Sequence, residues 1–404
     1  MKGEVTFVQW KKSFVAAVSL VVTASLLTAC SGGGSKDTAA NAPVANEFVI
    51  GGNFELSGGQ ATFGKAAVNG AKMVFDKVNA EGGINGKKIK FVVLDNKSEA
   101  TESTNVATKL INSEKAVAIL GCTTSGDTLG MVQLAMDKKI PVLSTSATNP
   151  KVTVDENTKK TNDFIFRACF IDPFQGTVMA NFTLNNLKLN TAAVLTDNQA
   201  PYSKGLAQFF KESFAKGGGE IVADEGYVTG DQDFKATLTK IRGKNPDVLY
   251  VPGYYEEVGK IVKQARELGM TMPIMGGDGW DSPKLTEIAG AAALNNTFFS
   301  NHYSSEDTDP LVVDFVKRYK ELYGDVPDSM AVLGYDGALI MVDALKRAGE
   351  PNAVKIKEAL AATKDVQTVT GKISYDEQHN PIKAAAIIEM KDGKQTFKDK
   401  VAPK

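Results

Sequence analysis

The sequence predicts an α/β fold of two doubly wound parallel-sheet lobes joined by three hinge crossovers. Three observations predict it. Short apolar runs rich in β-branched residues alternate with longer runs of helical period. That alternation runs once from Phe48 and restarts near Ala192. A chain of 404 residues also exceeds what one hydrophobic core serves, so two cores are expected.

Taken in order, Phe48-Val49-Ile50 reads as a strand and Gln60 to Asn79 as a helix. Ile89 to Leu94 is a strand, Glu99 to Asn112 a helix, and Ala116 to Leu120 a strand. Thr128 to Lys138 is a helix, and Pro141-Val142-Leu143 closes the first series as a strand. The second series reads Ala192 to Leu195 strand, Gly205 to Lys216 helix and Ile221 to Val228 strand. It continues with Phe234 to Arg242 helix, Val248 to Val251 strand, Glu256 to Leu268 helix and Ile274-Met275 strand. Crossovers are expected near Phe166-Arg167, near Ser300 to Tyr303 and near Ala384 to Ile387. They divide the chain into lobe one (47–166 and 302–384) and lobe two (167–301 and 385–404).

Composition narrows the function. A formal charge of -1, from 46 Lys+Arg against 47 Asp+Glu, lacks the basic excess of a nucleic-acid binder. With only 2 histidines, His302 and His379, a histidine metal site or proton relay is not expected, and neither is placed for a catalytic triad. No Gly-x-Ser-x-Gly elbow, phosphate-binding Gly-x4-Gly-Lys-Ser/Thr loop or Cys-x2-Cys pair occurs. Binding without a cofactor is therefore expected, rather than catalysis.

The first thirty residues read as an address. Lys11 and Lys12 precede an apolar run from Phe14 to Leu27, short of the roughly 20 residues a membrane span needs. Leu27-Thr28-Ala29-Cys30 resembles the bacterial lipobox, which implies a signal peptide over 1–29 and a lipidated Cys30. Residues 30–46, rich in Gly, Ser and Ala, then read as a flexible tether. Cys122 and Cys169 lie in or beside strand-like runs, where a disulfide and two buried thiols are both compatible with the pattern.

In open α/β sheets ligands bind beyond the carboxyl ends of the strands. In the first series those ends carry Asn53 to Gly59, Gly121 to Gly126 and Ser144 to Pro150, which are rich in small hydroxyls. In the second they carry Thr196 to Tyr202, Pro252 to Tyr255 and Gly276 to Trp280, with aromatics and the acid Asp278. Ser125 and Thr148 are read at helix starts, suited either to N-capping or to holding an anion. With Phe63, Tyr202 and Tyr254 as apolar walls, the set suits a zwitterion whose charges are both paired.

These loops carry a resemblance. Leu56 to Gly64, Asn79 to Gly86 and Ser146-Ala147-Thr148-Asn149-Pro150 match motifs of the substrate-binding proteins of branched-chain amino-acid ABC transporters. Tyr202-Ser203-Lys204-Gly205, Gly253-Tyr254 and Ala265 to Gly269 match as well, and the similarity covers essentially residues 47 to 400. The resemblance implies a type I periplasmic-binding fold. It also implies that Ser125 and Thr148 hold the α-carboxylate by N–H and the ammonium by hydroxyl. Ser146 would offer a carbonyl to the ammonium, Asp278 its acidic partner, and Phe63, Tyr202 and Tyr254 the side-chain enclosure. Ala147, Trp280 and Leu56 complete the candidate set. Many relatives carry Glu where Asp278 stands, and Thr124 stands where some carry a disulfide cysteine.

The function so implied is a monomeric, membrane-anchored receptor. It would capture Leu, Ile or Val between the lobes and deliver it to an ABC permease and its ATPase subunits. A ligand touching both lobes favours the closed form. The alternatives are a receptor for another small solute (an amide, urea or another amino acid) and a ligand sensor for a membrane kinase.

Overall fold

The structure is a computed structural model that describes residues 47–402. The predicted signal peptide, Cys30 and the tether to residue 46 lie outside the described residues.

The first half of the chain builds one sheet. In order it runs β1 (Glu47–Phe54), α1 (Ala61–Ala80), β2 (Lys88–Asp95), α2 (Ala100–Asn112), β3 (Ala118–Gly121), α3 (Ser125–Lys138), β4 (Val142–Ser144) and β5 (Ile165–Arg167). The strands stand in the order β2-β1-β3-β4-β5 and every pair is parallel. Phe48, Ile50, Ile119, Leu120, Val142 and Leu143 are fully buried. A strand covered on both faces needs such apolar runs rather than alternation.

The chain then crosses to a second sheet. Here lie α4 (Asp172–Asn181), β6 (Thr191–Asp197), α5 (Pro201–Lys216), β7 (Glu220–Tyr227), α6 (Lys235–Arg242) and β8 (Val248–Tyr250). They are followed by α7 (Tyr255–Glu267), β9 (Ile274–Gly276), α8 (Pro283–Ala289) and β10 (Thr297–Asn301). After β10 the chain returns to the first core with α9 (Pro310–Tyr323), α10 (Ser329–Ala348), α11 (Ala353–Ala361) and the small hairpin β11 (Val366–Thr368) and β12 (Gly371–Ile373). A last crossing brings β13 (Ala385–Lys391) and β14 (Lys394–Val401) to the second sheet, ordered β14-β13-β10-β9-β8-β6-β7. In this sheet only the pairs β10/β13 and β13/β14 are antiparallel.

None of α4, α8, α9, α10 or α11 is assigned from the sequence. In α10 the reason is plain: 15 of its 20 residues are buried, so it has no solvent stripe to mark the helical period. It lies across α1, where a Cβ on Gly334 would come within 2.1 Å of the Ala67 carbonyl. Only glycine permits that crossing.

The strand orders place the site. In the first sheet the direction of winding reverses between β1 and β3, and in the second between β6 and β8. The crevice at such a reversal opens outside the carboxyl ends of those strands. The residues there are Glu55 and Thr123 to Ser125 on one side, and Asp197 to Tyr202 and Pro252 to Tyr254 on the other.

Candidate functional site

On the first wall, α3 begins at Ser125, three residues before the start predicted from periodicity. Thr124 caps it by accepting the Asp127 N–H at 3.2 Å. The preceding amides are already occupied by a protein carboxylate. Glu55, fully buried after β1, accepts the N–H groups of Thr123 and Thr124 at 3.1 Å each and the Thr123 hydroxyl at 2.6 Å. An acid is stabilised there by the helix N-terminus. Burial and the neighbouring Glu55 push the Asp127 carboxyl well above its ordinary range.

The next loop is locked from behind. The buried Arg167 guanidinium donates to the carbonyls of Ala147 at 2.6 Å and Asn149 at 3.0 Å, and to Thr153 Oγ1 at 2.9 Å. The Asp172 N–H donates to the Thr148 carbonyl at 3.0 Å. Thr148 is thereby fixed, fully buried, with a hydroxyl that makes no normal-length hydrogen bond among the described residues and neighbours the Asp172 carboxyl. Thr148 does not open a helix, as the sequence suggested. Pro150–Val152 form only a single 3-10 turn, and Asn149 caps it. Ser125 Oγ accepts the Asn149 N–H at 3.2 Å, and Ser146 Oγ donates to the Thr123 carbonyl at 2.9 Å. No protein acceptor meets the N–H groups of Ser125 or Thr148 among the described residues.

The second wall is made of side chains. Pro201 fixes the first turn of α5 and sets Tyr202 in it, so that its hydroxyl donates to Asp278 Oδ1 at 2.9 Å. The same hydroxyl accepts the Gly279 N–H at 3.1 Å. Asp278 follows β9 in a 3-10 turn and is 2% exposed. Its other oxygen, Oδ2, lies 2.9 Å from His302 Nε2. Tyr254 stacks on Tyr202 with ring centres 5.0 Å apart, and Phe63 from the first wall meets Tyr254 edge-on at 6.0 Å. A Cβ on Gly279 would sit 3.0 Å from Tyr202 and 3.1 Å from Tyr254, so glycine allows the turn to lie against both rings.

The two walls close on a residual cavity of about 10 Å³, no more than the space of a single water. It is lined by Phe63, Thr123, Ser125, Ser146, Tyr202, Tyr254, Asp278, Gly279 and Met330. Six of the residues singled out in the sequence therefore meet at one place: Phe63, Ser125, Ser146, Tyr202, Tyr254 and Asp278. Ala147, Thr148, Leu56 and Trp280 are not in the lining. Trp280 is fully buried in the lobe-two core, where Nε1 donates to the Val251 carbonyl at 2.9 Å. Leu56 packs on the first core.

Sequence reasoning missed Glu55, His302 and Met330. Glu55 sits in a loop recognisable as a strand end, but nothing in sequence tells a buried helix-cap acid from a solvated one. His302 meets an acid 24 residues away only through the fold. A larger, open groove between α3, the 155–162 loop and α5 carries mixed charges and no convergent set of groups.

The walls also touch directly. Asn149 Nδ2 donates to the Pro201 carbonyl at 2.8 Å, the Thr62 and Ser282 hydroxyls lie 3.0 Å apart, and Asp281 Oδ2 accepts the Ser329 N–H at 2.8 Å. Behind them, Cys122 and Cys169 are free, buried thiols; burial pushes Cys169 up to about 12. Among the described residues no cluster of three or more His, Cys, Asp or Glu is placed to hold a metal, and no helix is long and apolar enough to cross a membrane.

The arrangement has counterparts. The family model described as periplasmic binding protein matches residues 47–395. An amino acid binding protein of Pseudomonas aeruginosa is 31% identical over 335 residues, covering 82% of this chain and 87% of that protein. The crystal structure of the branched-chain amino acid transporter substrate binding protein LivJ from Streptococcus pneumoniae, in complex with isoleucine, is 40% identical. It superposes with a TM-score of 0.82 and covers 88% of this chain and 100% of that one. The leucine binding protein LivK from Thermotoga maritima is 36% identical, with a TM-score of 0.82 and coverage of 88% and 99%. With a family model spanning nearly all the described residues and a relative 31% identical across 82% of the chain, the chain belongs to the periplasmic binding protein family.

Proposed function

We propose that this chain is an extracytoplasmic receptor that takes up a branched-chain amino acid in the cleft and delivers it to an ABC importer. The observation that carries the reading is the pairing of opposed chemistries across one small cavity. One wall offers N–H groups and hydroxyls, and the other a single buried carboxylate, Asp278. A zwitterion enters an apolar site only if both charged ends are met by hydrogen-bonding partners. The Ser125 amide in the lining suits its carboxylate, joined by the unpartnered Thr148 amide, which lies outside the present lining, and Asp278 suits its ammonium. Phe63, Tyr202, Tyr254 and Met330 give the lining an apolar side, which suits an aliphatic side chain better than a charged one once the walls part to admit it.

The finer parts of the proposal rest on sequence. Lobe one comprises 47–166 and 302–384, and lobe two 167–301 and 385–404, with the ligand closing one on the other. Cys30 carries the lipid anchor, and the receptor works as a monomer. The similarity to LivJ, whose structure contains isoleucine, supports the ligand class.

A thermal-shift and calorimetric screen of the twenty amino acids, urea, short amides and benzoate tests the reading. Leucine, isoleucine or valine should raise the unfolding temperature by mass action, more than any other compound. Stabilisation by an amide or an aromatic acid alone would reassign the ligand, and no response to any amino acid would overturn the reading.

A further inference from the structure

Asp278 has a partner that ligand recognition alone does not require. His302 directly follows β10, on the segment by which the chain leaves the second sheet. Its side chain is fully buried, with Nε2 2.9 Å from Asp278 Oδ2. The imidazole lies flat on Phe170, ring centres 3.8 Å apart and planes at 25°. Phe170 belongs to a different crossover, between β5 and α4. The His302 N–H is held by Asn301 Oδ1 at 2.8 Å, and Asn301 Nδ2 in turn reaches Asp281 Oδ2 at 2.8 Å. Backbone and ring are therefore both fixed.

A carboxylate held at one oxygen can still rotate about its last bond. Asp278 is held at both, by Tyr202 from α5 and by His302 from the crossover. Its plane is thereby set, and the remaining lone pair on each oxygen is left for a ligand donor. The charge on the ring matters as much as its place. The groups around it are Asp278 in the 3-10 turn, Asp281 just beyond it, Lys383 on the last crossover and the apolar Phe170. Burial lowers the proton affinity of His302, and Asp278 opposes that only in part. A neutral ring carrying its proton on Nε2 donates to Asp278 and leaves Nδ1 bare, and Nδ1 has no partner among the described residues. A cationic ring would instead pair off the negative charge that an ammonium needs.

We infer that His302 is a positioning residue of the ligand site: a neutral imidazole whose Nε2–H orients the Asp278 carboxylate and ties it to the crossover. The inference rests on the amino-acid reading above, but its test separates the two.

Leucine binding is titrated calorimetrically for the wild type, His302→Gln and His302→Leu. Glutamine can place an amide N–H where Nε2 lies, and leucine cannot. His302→Leu is expected to bind about ten- to a hundredfold more weakly, the usual effect of removing a buried bond to a charged group. His302→Gln should stay within about threefold of the wild type. Wild-type affinity in His302→Leu would overturn the inference. So would equal losses in both variants when both unfold as cooperatively as the wild type. If neither variant folds, nitrogen-detected NMR of the wild-type imidazoles decides. The chain has only 2 histidines, so the His302 signal is readily assigned. A neutral ring protonated on Nε2 at pH 7 upholds the inference, and a cationic ring or one protonated on Nδ1 overturns it. A wild type that binds no amino acid would fail the functional reading while leaving the NMR result to stand.

Discussion

The two walls of the cleft are built on different principles. The lobe-one wall is largely backbone. Its hydroxyls are mostly spent on its own loops, with Ser146 bonded to Thr123, Ser125 to Asn149 and Thr124 to Asp127. Glu55 and Arg167 fix those loops from behind. The lobe-two wall is made of side chains: Tyr202, Tyr254 and one acid, steadied by His302. A backbone wall can recognise a carboxylate on any ligand, since every residue supplies the same N–H. A side-chain wall can be altered one residue at a time. Choice among ligands should therefore sit with lobe two and with the entering side chains of Phe63 and Met330, and tolerance with lobe one.

The largest effect that would sharpen this contrast is expected at Asp278. Asp278→Ala should weaken leucine binding by about ten- to a hundredfold in calorimetry, because a buried ammonium loses its charged partner. Unchanged affinity would remove the acid from the site and the contrast with it.

Asp172 links the walls, with its N–H on Thr148 and its Oδ1 accepting from Gln175 at 3.2 Å. Burial, with Asp278 nearby, pushes its carboxyl up to about 7. Between about pH 4 and pH 7 the native state thus keeps a proton that the unfolded chain has lost. Stability from this group falls as pH rises through that window, by on the order of 1 kcal/mol per pH unit. Asp172→Asn should flatten that part of the unfolding profile, and parallel profiles would refute the assignment.

The smallest effect is the most diagnostic in sign. Thr148→Val removes a buried hydroxyl that makes no normal-length hydrogen bond and whose one polar neighbour is the Asp172 carboxyl. The ligand-free protein should gain about 1 kcal/mol in denaturant unfolding, while leucine binds about three- to tenfold more weakly. A loss in both measurements would show that the hydroxyl serves the fold and not the ligand.

Much of this was legible before any coordinates. Strands β1 to β4 and β6 to β9 were readable from their apolar, β-branched runs, most continuous where a strand is covered on both faces, whereas β5 was read only as a crossover. The ligand loops follow from where such strands end. α10 was not, because burial on nearly every side erases its period. In the site, Tyr202, Tyr254 and Asp278 could be placed at strand ends one by one. The bond between Asp278 and His302, and the cap that Glu55 makes on α3, depend on separations that only the folded sheets close up. Sequence also assigned Thr148 to a helix start, where the structure has a loop clamped by Arg167.

The bonds from Asn149 to Pro201, Thr62 to Ser282 and Ser329 to Asp281 involve no guest molecule. If the walls part to admit a ligand, as proposed, these bonds would give the closed arrangement a cohesion of its own, and cargo would need to supply only the remaining difference. On the proposed function, closing without cargo would then have a finite probability set by those bridges, and an unloaded receptor in that form would compete with loaded ones for the importer. Trimming the bridges should lower such futile docking at some cost in apparent affinity, which makes them the natural place to trade tightness of capture against fidelity of delivery.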